Sequence, residues 1–278
     1  MPSYECIRVE NKDRVTTVTL DRPHKRNAMN PRLNEEMVDA LTRLEHDPDT
    51  DVLVLTGAGD SFSAGMDLKE YFRDTEHDPV LSEQTKWTMR HWSYTKLRFF
   101  PRVTIAAVNG WCFGGAFMPL VSCDLAIAAD EATFGLSEVN WGIIPGGLVT
   151  RDVALAMGYR DAMYYILTGE AFGGKRAREL GLVNESVPRA DLQAAVDRLS
   201  SRLKDLNPLV LRTAKEAYRH SMTMDYEQAT DYLAAKAMQL TIRDSRERGR
   251  ERGMSQFLDT KQFKPGLGPY QRPELSDA

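Results

Sequence analysis

Two glycines near the middle of the chain stand where a loop meets the start of a predicted helix. Residues 109–117 read NGWCFGGAF and follow a short apolar segment, residues 104–108. A helix that begins at Gly114 and Gly115 leaves backbone N–H groups unpaired at the positive end of its dipole. Such groups can stabilise an oxyanion that develops on a carbonyl oxygen. Taken alone, the two glycines could equally serve the close packing of backbone segments.

A second loop offers another N–H donor. Residues 61–68, SFSAGMDL, follow the apolar segment 52–56, which is typical of a buried strand. Two donors from two loops are what acyl-transfer and enolate chemistry require, because the negative charge develops on one carbonyl oxygen. By contrast, Gly57 and Gly59 are followed neither by a third glycine that opens a helix nor by a Gly-Lys-Ser/Thr sequence. The dinucleotide-binding and P-loop patterns are therefore not satisfied.

Alternating strands and helices must hold these loops. Hydrophobic spacing predicts strands at residues 15–20, 52–56, 104–108 and 124–129. It predicts helices at residues 33–45 and 82–100. Asn30 is a suitable N-cap for the first helix, with Pro31 in its first position. This alternation predicts an α/β fold with mainly parallel strands. Beyond Pro188 we expect an α-helical section, packed on the core or on a neighbouring subunit, with helices at 191–206, 208–220 and 225–241.

The composition is that of an ordinary globular protein. The chain has 278 residues, of which 42% are hydrophobic and 27% charged, and its net charge is −4 at pH 7. A slightly acidic chain has no general attraction to nucleic acid or to an anionic membrane. Cys6, Cys112 and Cys123 form no C-x-x-C pair, which argues for reduced thiols and against a metal site. Since the N-terminus and the apolar segments fit neither a signal peptide nor a bilayer span, we expect a cytoplasmic protein with no nucleic-acid or membrane partner.

Four segments together resemble the signature of the crotonase (enoyl-CoA hydratase/isomerase) superfamily. They are RPHKRNAM at 22–29, SAGMDL at 63–68, VNGWCFGGA at 108–116 and FGLSEVNWGIIPGG at 134–147. The resemblance runs from about residue 15 to residue 186 and continues more weakly to Phe257. It implies a ββα-spiral core over residues 1–188, a helical trimerisation section over 189–278, and a homo-trimer or a dimer of trimers.

The same resemblance implies the site residues. The oxyanion-hole N–H groups would belong to Met66 and Gly115. Coenzyme A would be bound as part of a thioester substrate, with no permanently bound cofactor and no metal. The positions that match the CoA contacts of the superfamily are Lys25, Arg26, Ala28, Ala64, Asp67 and Leu68.

Ordinary hydratases of this superfamily carry two glutamates, one on the helix after the glycine turn and one in a Phe-Gly-x-x-Glu motif. Here the second position is Glu138, but the first is Met118. A thioether can neither hold nor deprotonate a water molecule in the way a carboxylate does. This argues against two-carboxylate hydration and leaves Glu138 as the candidate catalytic acid and base.

Four local sequences are similar to those of hydroxycinnamoyl-CoA (feruloyl-CoA) hydratase-lyases: 66–72, 109–117, 136–142 and 227–233. The similarity implies that Tyr71 and Tyr232 bind the 4-hydroxyl group of the substrate and that Trp141 and Gly142 line its pocket. The expected activity is hydration and retro-aldol cleavage of a 4-hydroxycinnamoyl-CoA thioester. Two alternatives stay open: an enoyl-CoA hydratase or isomerase for another acyl group, and a non-catalytic crotonase-like scaffold.

Overall fold

The computed structural model describes residues 2–244 and 248–261. The chain divides into two compact units between Asp197 and Arg198. The strands are β1 Ile7–Lys12, β2 Val15–Leu20, β3 Val52–Gly57, β4 Ser61–Ser63, β5 Val103–Val108, β6 Trp111–Phe113, β7 Leu125–Ala129, β8 Thr133–Gly135, β9 Ala171–Gly173 and β10 Glu185–Val187. The α-helices are α1 Pro31–Leu44, α2 Pro79–Arg90, α3 Phe117–Ser122, α4 Val149–Met157, α5 Tyr159–Thr168, α6 Gly174–Glu179, α7 Leu192–Lys204, α8 Pro208–Ser221, α9 Tyr226–Arg243 and α10 Gly249–Leu258.

The strands form two sheets that the chain builds in alternation. The larger sheet has the order β1-β2-β3-β5-β7-β10, and the smaller has the order β4-β6-β8-β9. β1 is antiparallel to β2 and β9 is antiparallel to β8, whereas the other neighbours run parallel. The successive pairs β3–β4, β5–β6 and β7–β8 each place one strand in each sheet. The chain therefore advances as a spiral of two strands followed by helical segments.

The corners between paired strands are tight. A Cβ atom on Gly57 would lie 2.0 Å from the Ser61 carbonyl oxygen, and one on Gly110 would lie 1.7 Å from the Asp60 carbonyl oxygen. Only glycine allows the backbone to approach so closely. The Asn109 amide joins two corners by donating to the Gly57 carbonyl at 2.8 Å. The loops after β3 and β5 are thus held next to each other.

The sequence-based elements of the first unit are present. The four predicted strands correspond to β2, β3, β5 and β7, and the mainly parallel arrangement is confirmed. Asn30 Oδ1 accepts a hydrogen bond from the Leu33 N–H at 2.9 Å, with Pro31 in the first helical position, as predicted. The helix predicted at 82–100 begins earlier, at Pro79, and continues after α2 as the π-helix His91–Leu97.

The second unit is helical. α8 and α9 pack against each other, and the Lys236 ammonium lies 2.8 Å from the Glu216 carboxylate between them. Asn207 caps α8, and Asp225 with Gln228 forms a capping box at the start of α9. The three predicted C-terminal helices are α7, α8 and α9. The division at residue 188 into a core and a trimerisation section stays a prediction, and residues 245–247 and 262–278 lie outside the described residues.

Candidate active site

The first candidate N–H donor lies on the loop after β4. Met29 and Met66 form an isolated parallel bridge. In it the Met29 N–H donates to the Gly65 carbonyl at 2.7 Å, and the Asp67 N–H donates to the Met29 carbonyl at 3.0 Å. In parallel pairing a residue bonds to the two neighbours of its partner, so the partner's own N–H points the other way. The Met66 N–H is therefore directed away from Met29.

The second candidate donor lies at the turn before α3. Gly114–Ala116 forms a 3-10 turn, and the first N–H groups of such a turn have no carbonyl partner within it. Gly65 has a φ of +91°, and a Cβ atom there would lie 2.7 Å from the Phe113 carbonyl oxygen and 3.0 Å from the Gly115 nitrogen. Both the left-handed backbone and the lack of space require glycine. The loops that carry Met66 and Gly115 are in direct contact.

Glu138 borders the same turn. It lies on the 3-10 helix Ser137–Trp141, which follows β8. A Cβ atom on Gly114 would lie 3.4 Å from Glu138 Oε1. Among the described residues, the buried Oε2 atom of Glu138 has no hydrogen-bond partner. Burial raises the pKa of Glu138, and a raised pKa suits a carboxyl group that both accepts and releases a proton near neutral pH.

Met118 fills the space behind the glycine turn. Its side chain is 7% exposed. A Cβ atom on Gly115 would lie 3.4 Å from the Met118 methyl carbon, and one on Gly147 would lie 3.4 Å from its sulfur. The thioether therefore lies between the turn before α3 and the glycine loop before α4. This side of the site is therefore apolar, whereas a carboxylate at the same position would bind water or a proton.

Tyr71 lies on the helix that follows the Met66 loop. This π-helix, Leu68–Arg73, is capped by Asp67, whose side chain accepts from the Lys69 and Glu70 N–H groups. The Tyr71 side chain is 8% exposed, and burial raises the pKa of its phenol. Its hydroxyl has no hydrogen-bond partner within residues 2–244 and 248–261. A buried phenol in this condition has its donor free for a ligand.

Tyr232 lies on α9 in the second unit. Its ring packs edge-on against His220, with 5.9 Å between ring centres. The Lys236 ammonium, one helical turn further along α9, lies 5.7 Å from the Tyr232 ring centre. The joint binding of one substrate hydroxyl by Tyr71 and Tyr232 stays a prediction.

The positions predicted to contact CoA lie on two segments that pair with each other. The Ala64 N–H donates to the Arg26 carbonyl at 2.8 Å. The Arg26 side chain is exposed, and its guanidinium carbon lies 4.5 Å from the Trp111 ring centre. Of the other positions, Lys25 and Leu68 are exposed, and Ala28 is buried.

Trp141 and Gly142 end the helix that carries Glu138. Gly142 has a φ of +75°, and its N–H donates to the Val139 carbonyl at 3.2 Å. Trp141 is 68% exposed, and Ile144, three positions further on, is also exposed. The two predicted pocket residues thus lie at an exposed apolar edge three and four positions after Glu138.

Asp67, another position predicted to contact CoA, lies beside a buried arginine. Its carboxylate is buried and lies 3.1 Å from the Arg22 guanidinium. The same guanidinium lies 2.7 Å from Glu70. Arg22 was not predicted as a site residue because its partners are 45 and 48 positions away in the sequence. In the sequence, Arg22 stands at the start of the segment RPHKRNAM, which resembles the family signature but gives no sign of these partners.

The described residues form neither a metal site nor a membrane-spanning helix. Residues 2–244 and 248–261 contain no cluster of three or more His, Cys, Asp and Glu side chains that could hold a metal ion. Within the same part of the chain, every helix is too short or too polar to cross a bilayer.

Comparison with known proteins identifies the family. The family model for enoyl-CoA hydratase/isomerase matches residues 10–265. The chain belongs to the enoyl-CoA hydratase/isomerase family. The hydroxycinnamoyl-CoA hydratase-lyase of Pseudomonas fluorescens is 53% identical over 270 residues, which cover 97% of this chain and 98% of that protein. A probable enoyl-CoA hydratase of Mycobacterium tuberculosis is 35% identical over 215 residues, or 77% of this chain and 81% of that protein.

Solved structures agree with this assignment. An enoyl-CoA hydratase from Bacillus anthracis superposes with a TM-score of 0.84 at 27% identity, covering 96% of this chain and 99% of that chain. One from Geobacillus kaustophilus gives a TM-score of 0.82 at 29% identity, covering 95% and 98%. The family resemblance and the α/β spiral fold predicted from the sequence are both confirmed.

Proposed function

We propose that this enzyme hydrates 4-hydroxycinnamoyl-CoA thioesters and then cleaves the product by a retro-aldol step. Feruloyl-CoA would yield vanillin and acetyl-CoA, and the coumaroyl and caffeoyl thioesters would yield the corresponding hydroxybenzaldehydes. The observation that carries the substrate class is the 53% identity, over 97% of the chain, to a hydroxycinnamoyl-CoA hydratase-lyase.

Hydration needs one base and one oxyanion site. Glu138 takes a proton from water, and the water oxygen bonds to the β carbon of the conjugated thioester. The electron pair of the double bond moves towards the thioester carbonyl, where the N–H groups of Met66 and Gly115 bind the developing oxyanion. Glu138 then delivers its proton to the α carbon. The contact between the two donor loops, with Glu138 beside them, supports this assignment.

Cleavage uses the same groups in the same roles. Glu138 removes the proton of the β-hydroxyl group, the bond between the α and β carbons breaks, and the aldehyde forms. The electron pair passes to the acetyl-CoA enolate, which occupies the same oxyanion site and takes at its α carbon the proton that Glu138 removed from the hydroxyl group. Protons and electrons balance over the two steps, since one water molecule is consumed and one aldehyde and one acetyl-CoA are released.

The phenol of Tyr71 is proposed to bind the 4-hydroxyl group of the ring, together with Tyr232. Electron density from this oxygen assists cleavage at the benzylic carbon, so a hydrogen bond there affects rate as well as selectivity. Tyr71 is buried, and its hydroxyl has no hydrogen-bond partner among the described residues, which supports this role. The remaining proposed contacts, to the CoA portion or the pocket, are Lys25, Arg26, Ala28, Ala64, Asp67, Leu68, Trp141 and Gly142.

We further propose that the protein works as a trimer or a dimer of trimers in the cytoplasm. Light scattering of the purified protein measures the assembly directly. A mass of three or six chains supports the proposal, and a monomer at working concentration contradicts it.

The activity is tested by analysis of the products from feruloyl-, coumaroyl-, caffeoyl- and crotonyl-CoA. We expect an aldehyde and acetyl-CoA in equal amounts from the three hydroxylated substrates. Cinnamoyl-CoA, which lacks the 4-hydroxyl group, is the matched control and should react much more slowly. Hydration of crotonyl-CoA without aldehyde from feruloyl-CoA would assign an ordinary hydratase, and no reaction of any thioester would favour a scaffold.

A further inference from the structure

A buried arginine connects the loop of Met66 to the helix of Tyr71. Arg22 Nη1 donates to Asp67 Oδ2 at 3.1 Å and to the Ala28 carbonyl at 2.6 Å, and Nη2 donates to Glu70 Oε1 at 2.7 Å. The Arg22 and Asp67 side chains are 7% and 6% exposed. A buried charge is costly unless its hydrogen bonds are satisfied, so removal of one partner from such a group is strongly destabilising.

The two carboxylates extend this connection to the ends of neighbouring elements. Asp67 Oδ1 accepts from the Glu70 N–H at 3.0 Å at the start of the π-helix. Glu70 Oε2 accepts from Asn30 Nδ2 at 2.6 Å, and Asn30 in turn caps α1. Burial alone would raise the pKa of Asp67, but the Glu70 N–H and the Arg22 guanidinium outweigh it and lower that pKa. The group therefore stays ionised at neutral pH.

The two carboxylates bound by Arg22 are next to proposed site residues in the sequence. Asp67 directly follows Met66, and Glu70 directly precedes Tyr71. Arg22 holds both carboxylates at once, and so joins the residue after the donor N–H to the residue before the phenol. We propose that Arg22 is a positioning residue. It keeps the Met66 N–H and the Tyr71 hydroxyl at the separation at which one substrate molecule can reach both, the first with its thioester oxygen and the second with its 4-hydroxyl group. This inference deepens the proposed function and rests on it for the identity of the substrate.

The chemistry of the network requires arginine. Its planar guanidinium donates in two directions, to Asp67 and to Glu70, whereas a lysine ammonium acts as a compact point charge on a flexible chain. Arg22→Lys keeps the positive charge but loses the rigid group that donates to both carboxylates at once. Small displacements of a catalytic group can reduce turnover by up to about a hundredfold.

A matched control exists in the same unit. Arg14 forms a two-point contact with Asp51, with Nε–Oδ2 at 2.6 Å and Nη2–Oδ1 at 3.0 Å. Neither residue belongs to the loops of the proposed site. Arg14→Lys therefore disturbs a similar ion pair without reaching Met66 or Tyr71.

The test combines turnover with a spectroscopic signature. Polarisation of a conjugated thioester by two N–H donors shifts its absorption band to longer wavelength. The band is recorded for bound feruloyl-CoA in the Glu138→Gln background, which slows conversion. For Arg22→Lys we expect a smaller shift, a fall in kcat of about tenfold to a hundredfold and a smaller change in KM. For Arg14→Lys we expect a full band shift and an unchanged kcat, even where Tm falls.

Other outcomes separate this inference from the proposed function. A full band shift and full kcat in folded Arg22→Lys would overturn the positioning role, as would equal losses in Arg22→Lys and Arg14→Lys. If wild type fails to cleave feruloyl-CoA, the proposed function fails, and the band shift of any bound conjugated thioester still tests Arg22.

Should Arg22→Lys not fold, Glu70→Gln removes the more exposed carboxylate charge. A loss of band shift and kcat is expected there too, and an unchanged Glu70→Gln protein would count against the inference.

Discussion

Two arginine–aspartate pairs lie at opposite ends of the parallel strands. Arg14 and Asp51 stand immediately before β2 and β3, whereas Arg22 follows β2 and Asp67 follows β4. The first pair joins the starts of two adjacent strands and stabilises their pairing. The second joins loops at the carboxyl ends, where ligands bind in parallel α/β sheets. The same residue types thus have a structural role at one end and, in our proposal, a role in positioning the site at the other.

The largest effect at the carboxyl end is expected from Glu138→Gln. The change removes the proton acceptor but keeps the shape of the side chain, and positioned proton transfer contributes about 10²–10⁴-fold to rate. We expect at least this loss in kcat on feruloyl-CoA, with binding of the thioester retained. Substitution at the amino ends of the parallel strands, as in Arg14→Lys, should leave kcat unchanged. Near-normal turnover in folded Glu138→Gln would assign the chemistry to another group.

The next effect is expected from the loss of one backbone donor. Gly115→Pro removes the N–H in the first turn of a helical segment, where proline is tolerated. Loss of one oxyanion donor costs about 10²–10³-fold in kcat. Gly115→Ala is the matched control because it keeps the N–H, and its Cβ atom would lie 2.7 Å from the terminal methyl carbon of the Met66 side chain, which can rotate away. If both variants fold and turn over equally, the donor lies elsewhere.

A smaller effect is expected from Tyr71→Phe. Hydrogen bonds to a charged partner contribute about 1.5–3 kcal/mol, which corresponds to about a tenfold to hundredfold change in rate. The variant should slow feruloyl-CoA more than cinnamoyl-CoA, because only the first carries the 4-hydroxyl group. Tyr232→Phe provides the same comparison for the second unit. Equal slowing of both substrates would make the tyrosines structural.

The smallest expected effect is on stability. Burial raises the pKa of Glu138, so its ionised form destabilises the folded state at pH values above that raised pKa. Below about pH 4 the carboxyl group is protonated in both the folded and the unfolded state, and this destabilisation disappears. Glu138→Gln should therefore have a higher Tm than wild type at pH 8, and the difference should vanish near pH 4. A Tm difference of the same size at both pH values would contradict the burial of the charge.

The longer elements and the site loops were predictable, whereas their connections were not. Strands β2, β3, β5 and β7 have apolar runs that sequence patterns detect, and the Asn30 cap and Pro31 mark the start of α1. Strands β4, β6 and β8 have three residues each, too few for a periodic pattern. Arg14 and Arg22 look alike in the sequence, because only the fold brings each to an aspartate 37 or 45 positions away.

The most direct measurement follows the oxygen of water through the reaction. Feruloyl-CoA is converted by wild type in heavy-oxygen water, with immediate reduction of the aldehyde to prevent exchange. We expect one heavy oxygen in each aldehyde-derived alcohol, an equal amount of acetyl-CoA, and almost no product from Glu138→Gln. A β-hydroxy thioester as the final product would contradict the cleavage step, and the same product at the same rate from Glu138→Gln would contradict catalysis by Glu138.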